Sequence, residues 1–348
     1  EISIRDWSSD VCSSDLITDE TLTEIGMIDH GSVIWTQKYN DLGEFEITVP
    51  ATLELLNLFR SGVFALREES ESVMMIEKIQ TKTNPESGDY IVVTGRSAEA
   101  LLNRRIVWEQ TNIDTDIGVA VRLLIEQNVT NATDTNRNIP LLNIGTIEAA
   151  GQTTQRQLRG ECIYDTVKEM MDLAKMGFRV RRYGRVLYMD LYHGKKTEVI
   201  FSREFDNLSQ MEYTADNTDF RNTVLVVGEG EGTAQKTTAI CAGATLNRCE
   251  MYLDKSSSST NEGTITDEEY QKTLQGEGTT ALAEKKTAET VTVEVDTDGI
   301  FRYGIDFTLG DIVTVIDPYG DKVAVRVSQI TENNDENGNN FVLSCEKI

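Results

Sequence analysis

Few residues of this sequence stand at spacings that could do chemistry. GEGEG at 228 to 232 follows an apolar run, as a phosphate-cradling glycine loop would. A third glycine would have to stand at Thr233, however, and Glu229 and Glu231 would repel a pyrophosphate. A flexible turn between strands is the better account of Gly228, Gly230 and Gly232. DTDG at 296 to 299 resembles the start of a calcium loop, but its twelfth position falls on Phe307, where a bidentate glutamate belongs. A hairpin turn needs no such ligand. The acidic stretch TENNDENGNN (331 to 340) could draw a cation weakly or simply face water.

Catalytic constellations are equally thin. The two histidines, His30 and His193, fall in different blocks, and no H-E-x-x-H, G-x-S-x-G or Cys/His/Asn signature is present. Cys162 opens an amphipathic stretch, where a helix N-terminus could activate a thiol; a core thiol is the plainer reading. Among 58 acids some carboxylate pair will stand at glycosidase spacing by chance, so that pattern carries no weight. The expectation is a non-enzyme, with no catalytic residue, no cofactor and no metal.

The first residues, EISIRDWSSDVCSSDL, have neither a helical nor a strand period. Residues 6–16 can be written back into codons as a standard short-read sequencing adapter, so 1–16 read as non-native and the natural chain is expected to begin near Ile17 or slightly upstream. Removing their four acids and one base changes the net charge from -25 to -22. So acidic a surface argues against gripping nucleic-acid phosphates, yet would let DNA slide past. No run approaches eighteen apolar residues, so membrane insertion is not expected. Cys162, Cys241, Cys249 and Cys345 are irregularly spaced, which favours reduced thiols and cytoplasmic synthesis, with Cys241 and Cys249 the one pair near enough for a local bridge.

The periodicities predict an α+β chain in three blocks. Residues 17–96 alternate as strands: Phe45, Ile47 and Val49 against Glu46 and Thr48, then VMMIEKIQT and DYIVVTG. Residues 97–198 turn helical, with Ile117, Val121, Leu124 and Ile125 on one stripe. A clearer helix has Ile163, Val167, Met170, Met171 and Ala174 on one face and Gly177 placed to end it. A hairpin across Tyr183-Gly184 follows. Residues 199–348 form a β-barrel-like block ending in TVTVEV, DIVTVID, KVAVRVSQI and NFVLSCE. A polar loop and a surface helix are expected near 254–290.

Several stretches together resemble the siphovirus gene-product-37-like tail proteins, a family associated with the phage tail tip and baseplate. They are SVIWTQKYNDLGEFEITVP (32–50), MIEKIQ (75–80), VTGRSAEALLNRRIVW (93–108), RNIP (137–140), FSREFDNLSQMEYTADNTDFRNTVLVVGEGEG (201–232) and FRYGIDFTLGDIVTVID (301–317). The resemblance singles out Trp35, Tyr39, Gly43, Phe45, Pro50, Gly95, Arg96, Arg105, Asn138, Pro140, Asp206, Asn207, Leu208, Asn222, Gly310 and Asp311, with the three glycines after 227, as architectural landmarks. Gly43 and Pro50 would bracket a turn and strand, Gly95 and Arg96 lead a strand into a helix, Asp206-Asn207-Leu208 make a turn, and Gly310-Asp311 open a hairpin. The chain departs from the family's pattern at Gly194-Lys195-Lys196-Thr197 and at Gln235.

Similarity to tail hubs implies β-barrel-like domains flanking an α/β insertion, closed into a ring that in hubs of this kind is a trimer. It also implies a place at the virion's tail tip after assembly in the host cytoplasm. Partners would be other tail proteins and the host cell surface, with DNA only in passage. Two alternatives stand beside it: a carbohydrate-binding adhesin, or the hub part of a peptidoglycan-cleaving tail protein.

Overall fold

In the computed structural model the described residues are 15–28, 31–67, 70–84, 88–260, 265–295, 300–317, 319–335 and 338–348. Most of the adapter-like segment, His30, the calcium-like DTDG stretch with its Asp298-Gly299 turn, and Asn337 lie outside them. The chain is mostly β.

The first strands are β1 (Asp15–Thr18), β2 (Glu24–Ile28), β3 (Ser32–Lys38) and β4 (Glu44–Pro50). After helix α1 (Leu53–Ser61) come β5 (Phe64–Arg67), β6 (Val73–Asn84) and β7 (Gly88–Ser97). They pair in the order β3-β4-β7-β6-β5-β1-β2. In β4 the alternation predicts the burial: Phe45, Ile47 and Val49 are covered, while Glu44, Glu46 and Pro50 are exposed. Their buried face joins Trp35, Phe59, Ile91 and Val93 in one core. Setting residues 1–16 aside splits β1, because Asp15 and Leu16 pair with both Arg67 and Leu66 of β5 and Ile28 and Met27 of β2.

The middle of the chain begins with a 3-10 turn at Ala98–Arg104. It continues through β8 (Thr111–Asp116), α2 (Ile117–Ile125), β9 (Leu142–Ile147), β10 (Thr153–Leu158) and α3 (Ile163–Ala174) to β11 (Gly177–Tyr183) and β12 (Val186–Tyr192). The hairpin forms as the spacing predicts, with Tyr183 opposite Val186. Buried Ile163, Val167, Met170 and Met171 of α3 pack with Ile117, Val121 and Leu124 of α2 and with Phe178 and Leu187. Each such side chain contributes about 1.5–3 kcal/mol when covered. Cys162 stands at the N-cap of α3, half-buried, its Sγ 3.5 Å from Asn103 Oδ1. Gly177 does not cap the helix, contrary to the expectation. Lys175 takes the left-handed position instead (φ 54°).

The last block holds β13 (Lys196–Phe201), β14 (Leu208–Asp216), β15 (Thr223–Val227), β16 (Thr237–Cys241), β17 (Glu250–Asp254), α4 (Asp267–Ala283), β18 (Ala288–Val295), β19 (Ile312–Ile316), β20 (Lys322–Asp335) and β21 (Gly338–Lys347). Its main core contains Phe201, Val291, Val293, Val313, Val325, Val327 and Leu343. Strand β20 lies against both β21 and β3, with Gln329 opposite Lys38 and Asn334 opposite Val33. One sheet of 13 strands therefore runs through the first and last blocks. Helix α4 exposes Glu268, Lys272, Gln275 and Thr279 along one face and covers the other. A capping box of Thr266 and Glu269 starts it, and Tyr270, Leu274 and Glu277 are buried beneath it. None of the helices among the described residues is long and apolar enough to cross a membrane.

Candidate functional site: the joint at residues 39 to 43

The turn YNDLG between β3 and β4 is where the three parts of the chain meet, and each of its residues has a partner elsewhere. Tyr39 is 2% exposed. Its backbone N–H donates to Ser328 O on β20 (2.8 Å), and its carbonyl accepts from Phe178 N on β11 (3.1 Å). The phenol oxygen lies 3.2 Å from Tyr192 O and 3.4 Å from Lys175 O, either of which can take its proton. It accepts in turn from Gly194 N and from Arg326 Nη1, both at 3.2 Å. The Arg326 guanidinium stands 5.1 Å from the ring centroid and the Tyr192 ring packs edge-on at 5.3 Å. Burial raises the Tyr39 pKa against the pull of Arg326, so the phenol stays protonated.

Glycines make room for this ring. A Cβ on Gly177 would lie 2.2 Å from Tyr39 Cε2, and one on Gly310 2.3 Å from the same atom. Gly310 also has φ 93°, a conformation other residues seldom adopt. Beside it, Asp311 is buried and its carboxylate accepts from Lys195 N (2.7 Å), Thr308 N (2.8 Å) and Thr308 Oγ1 (3.0 Å). Gly310 and Asp311 thus do open the β19 hairpin, and they also clamp the strand that leaves Gly194.

The rest of the turn docks on α3. Asn40 Nδ2 donates to Asp172 Oδ1, and Lys168 Nζ pairs with the other Asp172 oxygen at 2.9 Å. Asp41 accepts from the Tyr164 hydroxyl. Burial first, then this bond, pushes the Tyr164 pKa well up. Leu42 packs on the α2/α3 core. Gly43 exchanges bonds with Ser97, donating to Oγ (2.8 Å) and accepting from N (3.0 Å), and a Cβ there would meet Thr36 O at 2.4 Å. At Gly95 a Cβ would lie 1.8 Å from Met75 O, so this strand passes at backbone contact where β6 bulges. Arg96 forks onto Glu77 (2.8 and 2.7 Å) beside an open groove of about 650 Å³ rimmed by Lys38, Glu44, Glu46 and Lys78.

The remaining landmarks sit apart and hold local turns. Trp35 Nε1 donates to Ser72 Oγ (3.0 Å). Arg105 donates to Arg137 O, and Asn138 Oδ1 accepts from Ala132 N (2.7 Å), with exposed Pro140 ending that loop. Asp206 is left-handed (φ 54°), and buried Asn207 bridges Ser202 N and Ile200 O at 2.9 Å each, which seats Leu208. Asn222 bridges Asn247 O (2.7 Å) and Cys249 N (3.0 Å). Gly228 adjoins the Tyr270 hydroxyl, and Gly230 and Gly232 have positive φ. Glu229, which argued against a phosphate loop, accepts from Thr260 N and Oγ1 (2.8 and 2.7 Å). Cys241 is exposed, Cys249 half-buried, and neither is bridged. His193 is tied to Ala149 O and Glu148.

The joint therefore places backbone turns, buried rings and paired charges rather than a nucleophile with a base. Among the described residues no group of three His, Cys, Asp or Glu could hold a metal. Sequence reasoning missed Ser97, Tyr164, Asp172, Gly177, Tyr192 and Arg326. Only the pairing of a helix-end glycine with a distant tyrosine could have hinted at one of them.

The architecture is that of phage tail proteins. The chain superposes on the tail protein from Neisseria meningitidis MC58 with a TM-score of 0.56 at 11% identity, covering 97% of this chain and 96% of that one. For the 43 kDa tail protein of prophage MuSo2 from Shewanella oneidensis the values are 0.54, 11%, 95% and 98%. For prophage tail protein gp18 from Listeria monocytogenes EGD-e they are 0.51, 12%, 95% and 94%. In sequence, residues 16–344 match the family described as Siphovirus ReqiPepy6 Gp37-like protein, and the chain belongs to that family. No curated protein sequence matches.

Proposed function

We propose that this chain is a structural component of a siphophage or prophage tail, at the tail-tip or baseplate hub. There it joins the tail tube to host-binding parts and encloses the channel through which DNA leaves. Membership of the family over residues 16–344 carries this reading, and a fold shared along almost the whole chain with tail proteins supports it. The 13-stranded sheet, fastened at residues 39–43, is the rigid wall such a part needs. The landmark residues are architectural, and the work is done without catalysis. In this reading residues 17–96 and 199–348 are the β domains and 97–198 the α/β insertion. They assemble as a homotrimeric ring in the virion, and the net charge of -22 without residues 1–16 lets DNA pass without sticking.

Immunogold labelling of particles from a producing strain tests the location. Gold confined to the distal end of the tail is expected. Label along the tube or on the capsid, or particles that lack the chain, would overturn it.

A further inference from the structure

Residues 217–287 interrupt a pair of neighbouring strands. β14 and β18 run antiparallel until Asp216 stands opposite Ala288. Just beyond, Arg221 N donates to Lys285 O (2.8 Å) and Thr287 Oγ1 to Asn217 Oδ1 (2.6 Å), which closes a narrow neck. Past the neck, the three-stranded sheet β16-β15-β17 and α4 enclose a core of their own: Val224, Val226, Tyr270 and Leu274, with Ile240, Met251 and Leu253 against it. The insertion is a small folded unit on a two-strand stalk.

Its second attachment is ionic. Tyr270, Leu274 and Gly278 of α4 face the unit's own sheet, and Thr273, Glu277 and Thr280 lie on the adjoining flank of the helix, also buried. There Arg156 of β10 forks onto Glu277, with Nε and Nη2 each 3.0 Å from a carboxylate oxygen, and both side chains are nearly inaccessible. Arg156 Nη1 also reaches Glu169 of α3 (2.8 Å), and Lys255 Nζ reaches Glu277 (3.0 Å). Gln157 and Ser259 exchange two further bonds (3.3 and 3.0 Å). The four charges divide evenly: Arg156 and Glu169 belong to the body, Glu277 and Lys255 to the insertion. When the two part, Arg156 keeps Glu169, Glu277 keeps Lys255, and all four ions face water.

We propose that residues 217–287 form a hinged unit that swings away from the body about the β14/β18 neck, with Arg156 and Glu277 as its latch. Lys255 and Glu169 stay with their own halves when the latch parts.

The test is thiol alkylation of the full chain carrying Thr273→Cys, one turn before Glu277, followed site by site by mass spectrometry with buried Cys345 of the large sheet as reference. Opening below the global unfolding free energy should make Cys at 273 react at least about tenfold faster than Cys345. Arg156→Gln should raise that rate by a larger factor than it raises that of Cys345. Glu277→Gln, which removes the same fork from the other side, should raise it likewise. Equal rates at 273 and 345, or no acceleration by Arg156→Gln, would overturn the proposal.

Discussion

Arg326 and Tyr39 stand 287 positions apart in sequence, yet the guanidinium lies 5.1 Å from the ring centroid and 3.2 Å from the phenol oxygen. This contact fastens β20 to the β3/β4 turn at the point where the middle of the chain also arrives, through Phe178, Tyr192 and Gly194. One buried tyrosine therefore answers to all three blocks.

Removing only its hydroxyl leaves the Gly194 N–H without its acceptor and takes from Arg326 Nη1 one of its two, the other being Gly310 O at 3.2 Å. Tyr39→Phe should cost about 1–3 kcal/mol, read as a lower urea midpoint with an unchanged slope. A midpoint equal to wild type would mean that the phenol bonds do not hold the joint.

The two glycines against the ring should respond to its size. Gly177→Ala and Gly310→Ala each force a methyl to within 2.2 or 2.3 Å of Tyr39. Overpacking of that kind costs about 1–3 kcal/mol, and Gly310 adds the strain of its positive φ. In a Tyr39→Ala background the Gly177→Ala penalty should shrink to what the Tyr39 carbonyl at 2.9 Å still imposes, which a double-mutant cycle reports as coupling.

Asp15, the last acid of the adapter-like segment, gives this chain a pH dependence. Its carboxyl is buried and lies 3.4 Å from Arg67 Nε, but Arg67 also serves Glu332, and burial pushes Asp15 up from 3.8 to about 6. A carboxyl with a raised folded pKa holds its proton more tightly in the folded state, so its share of stability is full below about 3.8 and is lost as pH rises through about 6. Lowering the pH from 7 to 5 should raise the thermal midpoint through this group, and Asp15→Asn should flatten that rise. An unchanged profile in the variant would assign the dependence elsewhere.

The Arg156 cluster should behave asymmetrically. Burial works against both ions, but Glu277 is held below the usual carboxylate range by Arg156 and Lys255. Arg156→Met alone should cost about 3–5 kcal/mol, whereas Arg156→Met with Glu277→Leu should recover most of it. Denaturant melts of the three proteins decide this.

Local pattern made the strands and α3 readable. The period-two burial of Phe45, Ile47 and Val49 and the stripe from Ile163 to Met171 are properties of neighbouring residues, and they form as their spacing predicts. The pairing of β3 with β20 is a long-range choice between edges, and nothing in either strand names its partner. The polar face of α4 is legible in its composition, but not that Glu277 on the covered face meets Arg156 of β10. Gly177 was misread because it sits where a helix stop belongs, but its lack of a side chain serves Tyr39. Of the joint, Tyr39, Gly43, Gly310 and Asp311 could be marked from the family resemblance. Their convergence could not.

The most direct test of the hub account is the solution mass of the full chain by multi-angle light scattering across a range of concentrations. The account predicts a discrete particle of three 38.9 kDa chains. A monomer at every concentration would contradict it.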